Sequence, residues 1–329
     1  MNPRPHVFVS RRVPTAAMEV IEAACECRVW DQEDVSVPPD RLRQELAEVD
    51  GALVMLSDRI DREILAGATR LKMIANMAVG FDNIDTGACI ERGVMVSNTP
   101  DVLTETTADL VWALLMATAR RLVEAQQLVE RDEWQSWSPM LLAGQDVHGA
   151  TLGIIGAGRI GQAVALRARG FGMRILYHNR SRHRDFESAA GAIYVERDVL
   201  LSQSDFVVPM VPLTTDTRHL IDSRALRQMK PSAVLVNASR GAVVDEQALQ
   251  EALEQGWIWA AGLDVWDTEP IRAGHPLLGL PNVVALPHIG SASIATRTRM
   301  ASLAAENLVA GVTGGVPPTL VTPRAGQRP

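Results

Sequence analysis

Apolar residues fall along this chain in short blocks, with stretches of helical period between them. The blocks at 6–10 (HVFVS), 28–30 (RVW), 51–56 (GALVML), 73–75 (MIA) and 94–96 (VMV) read as strands. Residues 14–24 open on Pro14, which is tolerated at a helix start, and 38–49 and 84–92 are also helical in pattern. This alternation predicts a small parallel α/β unit over the first hundred residues. The stretch 104–130 (TETTADLVWALLMATARRLVEAQQLVE) differs: it has Thr104 as an N-cap and apolar residues at helical spacing throughout. It predicts one long helix, suited to bridging domains or to dimerising. The loop at 134–144 (WQSWSPMLLAG) is rich in tryptophan and leucine, and exposure would be costly, so it is expected to pack on a partner or in a cleft.

From residue 151 the alternation resumes, with strands at 152–155, 174–177, 206–210, 233–237, 260–264 and 283–286 and helices between most of them. Pro209 inside a strand pattern belongs at a strand end or on an edge. Residues 292–311 are a final helix, and from Pro317 onward a poorly ordered tail is expected.

The second half opens on TLGIIGAGRIG at 151–161, a strand, then Gly156, Gly158 and Gly161 in G-x-G-x-x-G, then a helix. The three glycines serve a tight turn, close approach of backbone to a pyrophosphate, and close helix–strand packing. Free N–H groups and the helix dipole complete an anion site. The expected fold is α/β, with two doubly wound parallel-sheet domains. A Rossmann dinucleotide-binding domain over 101–288 is inserted into a smaller flavodoxin-like substrate domain made of 1–100 and 289–329. Ligands in such sheets sit at the carboxyl ends of the strands, so the cleft between domains is the expected site.

The next strand ends RILYHNRSRHR, where an NAD site ordinarily carries Asp or Glu for the ribose hydroxyls. Here there are Asn179, Arg180 and Arg182 instead, and guanidiniums hold a 2′-phosphate well. NADPH is therefore the expected cofactor, with NADH as the alternative. A net charge of −7 argues against a general nucleic-acid or anionic-membrane surface. Cys25, Cys27 and Cys89 form neither a metal-ligand pattern nor a disulfide framework, so no metal is expected. No stretch resembles a signal peptide or a membrane span, and the expected location is the cytoplasm.

Three further stretches carry a resemblance. VNASRGAVVDE at 236–246, GLDVWDTEP at 262–270 and LPHIGS at 286–291 resemble the signature segments of the D-isomer-specific 2-hydroxyacid dehydrogenases. Within that family the chain is most similar to the glyoxylate/hydroxypyruvate reductases, through MLSDRID at 55–61, NMAVGFDNID at 76–85, NTPDVLTE at 98–105 and GFGMRILY at 170–177.

The resemblance implies Arg240 as the substrate-binding cation, Glu269 as the carboxylate partner and His288 as general acid/base. The seven histidines could not be ranked by chemistry alone, although an imidazole with an unperturbed pKa of about 6.5 suits the task. By the same resemblance, Asp264 holds the nicotinamide carboxamide, Thr107, Ala238, Ser239 and Gly290 lie near that end, and Gly158, Arg159 and Ile160 meet the pyrophosphate. The resemblance further implies that Pro212 and Thr217 flank the adenosine half, that backbone N–H groups of Val79 and Gly80 bind the substrate carboxylate, and that Leu56 and Ser291 line the pocket. Trp137 matches a tryptophan that reaches into a neighbouring subunit's site, which implies a homodimer. Ser239 departs from the alanine more usual there. The expected reaction is NADPH-dependent reduction of glyoxylate or hydroxypyruvate. A 2-ketogluconate-type or other D-2-hydroxyacid dehydrogenase remains open on the same motifs, as does a dinucleotide-sensing corepressor-like binding protein. A phosphoglycerate dehydrogenase is disfavoured, since no regulatory domain follows Gly315.

Overall fold

The computed structural model describes residues 3–321. Along the chain come β1 (His6–Val9), α1 (Thr15–Ala24), β2 (Glu26–Val29), α2 (Pro39–Glu48), β3 (Gly51–Val54), α3 (Arg62–Leu65), β4 (Met73–Asn76), α4 (Thr86–Glu91) and β5 (Met95–Ser97). Then follow α5 (Thr104–Ala119), α6 (Leu122–Glu130), β6 (Thr151–Ile155), α7 (Arg159–Ala168), β7 (Arg174–His178), α8 (Arg184–Ala190), β8 (Ile193–Tyr194), α9 (Arg197–Gln203) and β9 (Phe206–Pro209). The chain ends with α10 (Ser223–Gln228), β10 (Val234–Asn237), α11 (Glu246–Glu254), β11 (Ala260–Leu263), β12 (Val283–Ala285) and α12 (Ile294–Val312). The described residues divide into two compact units, 3–103 with 292–321, and Thr104–Ser291.

In the first unit five parallel strands take the order β2-β1-β3-β4-β5, the flavodoxin-like winding. Strands β3 and β4 are buried at every position, as strands covered by helices on both faces must be. Val7, Val9, Leu53 and Met73 meet Ile21 of α1 and Ala301, Ala305 and Leu308 of α12 on one face, while Phe8, Ala52 and Ile74 meet Leu42 and Leu46 of α2 on the other. The Ser293 hydroxyl caps α12 by accepting the Thr296 N–H. The expected tail is held as far as the structure describes it. Leu320 bridges to Ser97, Val321 N–H donates to Val96, and Thr319 exchanges bonds with Asn98 and Asn307. The remainder of that expected tail, 322–329, lies outside the described residues.

The second unit has seven parallel strands in the order β12-β11-β10-β9-β6-β7-β8, which is the Rossmann order extended by one strand at its far edge. Pro209 closes β9, a central strand, opposite Ile155 of β6. It is an end position, where the missing N–H breaks no ladder. The expected long helix over 104–130 is interrupted. Arg121 adopts φ 52°, and the Ala119 carbonyl at the end of α5 accepts the N–H of Gln145 at 2.9 Å. Gly144 passes so close that a Cβ there would lie 2.1 Å from the same carbonyl oxygen. A returning chain segment thus takes the acceptor that a continuing helix would have used. The short α3 and β8 have no counterpart in the sequence expectations. Among the described residues no helix is long and apolar enough to cross a membrane.

Candidate active site

Loops leaving the carboxyl ends of the neighbouring strands β10, β11 and β12 carry Arg240, Glu269 and His288. The first loop is shaped by buried Asn237. Its Oδ1 accepts the Ser239 N–H at 3.1 Å and the Ser239 hydroxyl at 2.8 Å, and its Nδ2 donates to the Arg240 carbonyl at 2.9 Å. Ser239, the residue that departs from the family pattern, therefore satisfies its hydroxyl inside the loop. Arg240 then leads a single 3₁₀ turn, Gly241–Val243. A Cβ on Gly241 would fall 1.8 Å from the carbonyl carbon of Trp266, so glycine lets this turn lie directly on the backbone of the second loop.

In that second loop the Trp266 N–H donates to Glu269 Oε1 at 3.0 Å, and the Trp266 indole donates to the Leu286 carbonyl at 2.9 Å, just before the third loop. Glu269 Oε2 lies 2.7 Å from His288 Nδ1. A carboxylate only accepts, so it selects the ring form with a proton on Nδ1 and leaves Nε2 turned away from it. His288 itself has φ 55°, a left-handed conformation that is costly for a side chain of this size. Asp264 holds it there: its carbonyl accepts the His288 N–H and its Oδ1 the Ile289 N–H, both at 2.8 Å. Burial pushes the Asp264 carboxyl up, against the pull of the Ile289 N–H and the nearby imidazole.

The remaining oxygen, Asp264 Oδ2, is buried without a hydrogen-bond partner among the described residues. A Cβ on Gly290 would sit 3.3 Å from it and 3.4 Å from Thr107 Cγ2, so Asp264, Gly290 and Thr107 share one corner. Ala238 and Ser239 are buried, and Ser291 is half-buried at the end of the third loop.

The glycine turn behaves as its spacing predicts. Gly156 has φ 100°, and a Cβ on Gly161 would lie 2.1 Å from the Gly156 carbonyl oxygen. The Cβ position of Gly158, which caps α7 ahead of Arg159 and Ile160, meets nothing within 4 Å. These features fit a nicotinamide dinucleotide: an open backbone edge at a helix N-terminus for the pyrophosphate, and a buried, unused acceptor for a carboxamide N–H. The Gly156 N–H donates to the His178 carbonyl at 2.9 Å, which sets the loop after β7 beside the glycine turn. In that loop Asn179 Nδ2 bonds the Ser181 carbonyl, and Arg180 is exposed with no partner among the described residues. Arg182 is already engaged, with Nε and Nη2 each 2.9 Å from Glu187, whose other bond is to the Tyr177 hydroxyl. Arg182 and Tyr177 hold the Glu187 carboxyl down to about 2. Thr217 bonds the Pro212 carbonyl, closing the loop after β9 that begins against Gly156.

Of the substrate residues, Leu56 is exposed and Val79 and Gly80 are half-buried in loops at the carboxyl ends of β3 and β4 in the first unit. Trp137, 78% exposed, stands in its own loop with Trp134 and Met140. Asn237 and Trp266 build the site without having been singled out by sequence. Both lie inside the recognised motifs, but their tasks are buried contacts that no spacing announces.

The model of the D-isomer specific 2-hydroxyacid dehydrogenase NAD binding domain matches residues 112–290. The chain is 50% identical over 322 residues to a glyoxylate reductase of Thermococcus kodakarensis, covering 97% of this chain and 96% of that one. A crystal structure of a glyoxylate reductase from Paecilomyes thermophila superposes with TM-score 0.86 at 32% identity, covering 98% and 99% of the two chains. An NADPH-dependent glyoxylate/hydroxypyruvate reductase from Sinorhizobium meliloti, in complex with NADP and malonate, gives TM-score 0.84 at 32% identity over 97% of each. The chain belongs to the D-isomer-specific 2-hydroxyacid dehydrogenases. It is an NAD(P)-dependent dehydrogenase, and its cofactor is a nicotinamide dinucleotide.

Proposed function

We propose that this dehydrogenase reduces small 2-oxo acids, glyoxylate and hydroxypyruvate, to the 2-hydroxy acids, and that it uses NADPH in preference to NADH. The observation that carries the reading is the Glu269–His288 pair at 2.7 Å, on loops that adjoin the Arg240 turn and the unused oxygen of Asp264. Bound dihydronicotinamide supplies a hydride to C2 of the substrate. His288 Nε2 gives its proton to the carbonyl oxygen, so the C=O becomes CH–OH and the imidazole is left neutral. Glu269 fixes the ring, and Arg240 binds the carboxylate and stabilises charge growing on the carbonyl oxygen. The substrate domain, 1–100 with 289–329, contributes Leu56 and the N–H groups of Val79 and Gly80. Residues 101–288 are the dinucleotide domain.

The NADPH preference rests on Arg180, exposed beside the glycine turn where no carboxylate replaces it, with Asn179 next to it. Arg182 contributes by shaping the loop through Glu187. A homodimer fits α6, which buries none of its side chains, and the Trp134, Trp137 and Met140 loop that follows it. Trp137 then completes the partner's pocket.

Steady-state oxidation of NADPH and NADH with glyoxylate, then hydroxypyruvate, tests the assignment. Rapid NADPH loss with much slower NADH loss is the expected result. Equal use of both removes the cofactor preference, and tight dinucleotide binding without turnover of either acid removes the reductase reading. Sedimentation equilibrium of a monomer at micromolar concentration would remove the dimer.

A further inference from the structure

Three consecutive carbonyls in the loop after β4 are held by named partners. The Ala78 carbonyl accepts the Thr99 N–H at 2.8 Å, the Val79 carbonyl accepts Asn98 Nδ2 at 2.8 Å, and the Gly80 carbonyl accepts Asn76 Nδ2 at 2.9 Å. In a planar trans peptide the N–H of the following residue points opposite to the carbonyl. Each bond therefore turns one N–H away from its partner: Val79 and Gly80 away from Asn98 and Thr99 at the end of β5, and Phe81 away from Asn76. Asn76 is fully buried, Val79 and Gly80 are half-buried and Phe81 is 38% exposed, so the N–H groups lie on the outer side of the loop. None of the three finds an acceptor among the described residues. Successive N–H groups freed in this way form a concavity for an anion.

The frame holding these carbonyls is itself fixed. Asn98 gives its N–H to the Thr319 carbonyl and takes the Thr319 hydroxyl on its own carbonyl, while the Thr319 N–H goes to Asn307 Oδ1 in α12. Asn76 Nδ2 lies 3.3 Å from Asn83 Oδ1, and Asn83 Nδ2 donates to the Met55 and Asp58 carbonyls on either side of Leu56 and Ser57.

We infer that Asn76 and Asn98 are positioning residues for the substrate carboxylate: by holding the carbonyls of Gly80 and Val79 they aim the N–H groups of Gly80 and Phe81 at it. The inference rests on the proposed role of this loop in binding a 2-oxo acid and adds the side chains that impose its geometry and a third N–H, that of Phe81. Neither asparagine touches substrate.

The test is kinetic. Asn76→Ala and Asn98→Ala are each expected to raise the KM for glyoxylate about tenfold or more, roughly the loss of one hydrogen bond to a charged group. The same variants should lower kcat less than threefold and leave the Kd for NADPH within twofold. A folded variant with wild-type Tm and unchanged KM overturns the proposal. Should either substitution prevent folding, hydrogen–deuterium exchange on the wild-type enzyme decides. Saturating oxamate, added to the NADPH complex, is expected to protect the amides of Gly80 and Phe81, and exchange unaltered by oxamate overturns the proposal. Wild-type protein that neither reduces glyoxylate nor binds oxamate overturns the substrate reading beneath it as well, and that failure is visible before any variant is made.

Discussion

Glu269→Gln isolates the charge that faces His288. Glutamine keeps an oxygen for the Trp266 N–H, now accepted at 3.0 Å by Oε1, so the second loop retains its anchor. The amide NH₂ then opposes Nδ1, where the carboxylate Oε2 sits at 2.7 Å. The proton-loaded ring loses its charge-assisted partner, and its neutral form is driven to the tautomer with a lone pair on Nδ1. A hydrogen bond to a charged group is worth about 1.5–3 kcal/mol. The His288 and Glu269 side chains are 24% and 28% exposed, so solvent screens the pair and the lower part of that range applies, about 1.5–2 kcal/mol. At about 1.4 kcal/mol per factor of ten this corresponds to a loss of roughly 10–30-fold in kcat/KM for glyoxylate. The assay is initial-rate NADPH oxidation at fixed pH, with NADPH affinity from fluorescence titration and Tm as controls. NADPH affinity and Tm should be unchanged. Glu269→Ala should lose more activity and, by stranding the Trp266 N–H, about 1 kcal/mol of stability as well. Glu269→Gln enzyme within twofold of wild-type kcat/KM would show that the carboxylate does not prepare His288 for proton transfer.

Arg180→Glu should weaken NADPH binding by about 10–100-fold and NADH binding by less than threefold, measured by fluorescence titration, since it replaces a charge-assisted phosphate contact with repulsion. An equal loss for both dinucleotides would mean that Arg180 does not read the 2′-phosphate. Glu187, held down to about 2 in the folded chain, stabilises it fully above the ordinary carboxylate range, and that contribution fades as pH falls toward 2. Glu187→Gln should therefore flatten the acid limb of stability between about pH 4.5 and 2.5 in urea melts followed by circular dichroism, and an unchanged slope would refute the linkage. Gly161→Ala forces a Cβ to within 2.1 Å of the Gly156 carbonyl oxygen. It should cost about 1–3 kcal/mol and lower Tm by several degrees in calorimetry, and an unaltered Tm would refute the close helix–strand contact.

Strands such as FVVP, VLVN and AAGL were legible because both their faces are buried, which leaves a continuous apolar run that needs no knowledge of partners. The glycine turn was legible for a similar reason, since its demands are local to eleven residues. What the sequence did not disclose depends on contacts distant in the chain. The break between α5 and α6 is imposed by Gly144 and Gln145, more than twenty residues after Ala119. Arg180 and Arg182 read alike in sequence, which gave no sign that α8 brings Glu187 onto Arg182. Strand β8 is two residues long and owes its existence to Leu176 and Tyr177 of β7 beside it. His288 could not be told from the other histidines by its own surroundings in sequence, because Glu269 lies nineteen residues away. Only resemblance selected it.

Asp264 shows why the nicotinamide end of the site, unlike the glycine turn, was recognised only through resemblance. It stands at the exit of β11, and its carbonyl and Oδ1 are both spent on the turn that holds His288 in a left-handed conformation. Its Oδ2 is left buried beside Gly290 and Thr107. An ionised carboxylate in such a place is costly unless something donates to it, and the burial-raised carboxyl records that cost. In the proposed mechanism a carboxamide N–H arriving at Oδ2 would relieve it. The same bond would tighten the residue that aims His288, so that dinucleotide binding and preparation of the proposed proton donor would act through one side chain. Glycine at 290 keeps that corner open, because any Cβ there would occupy the space in front of Oδ2.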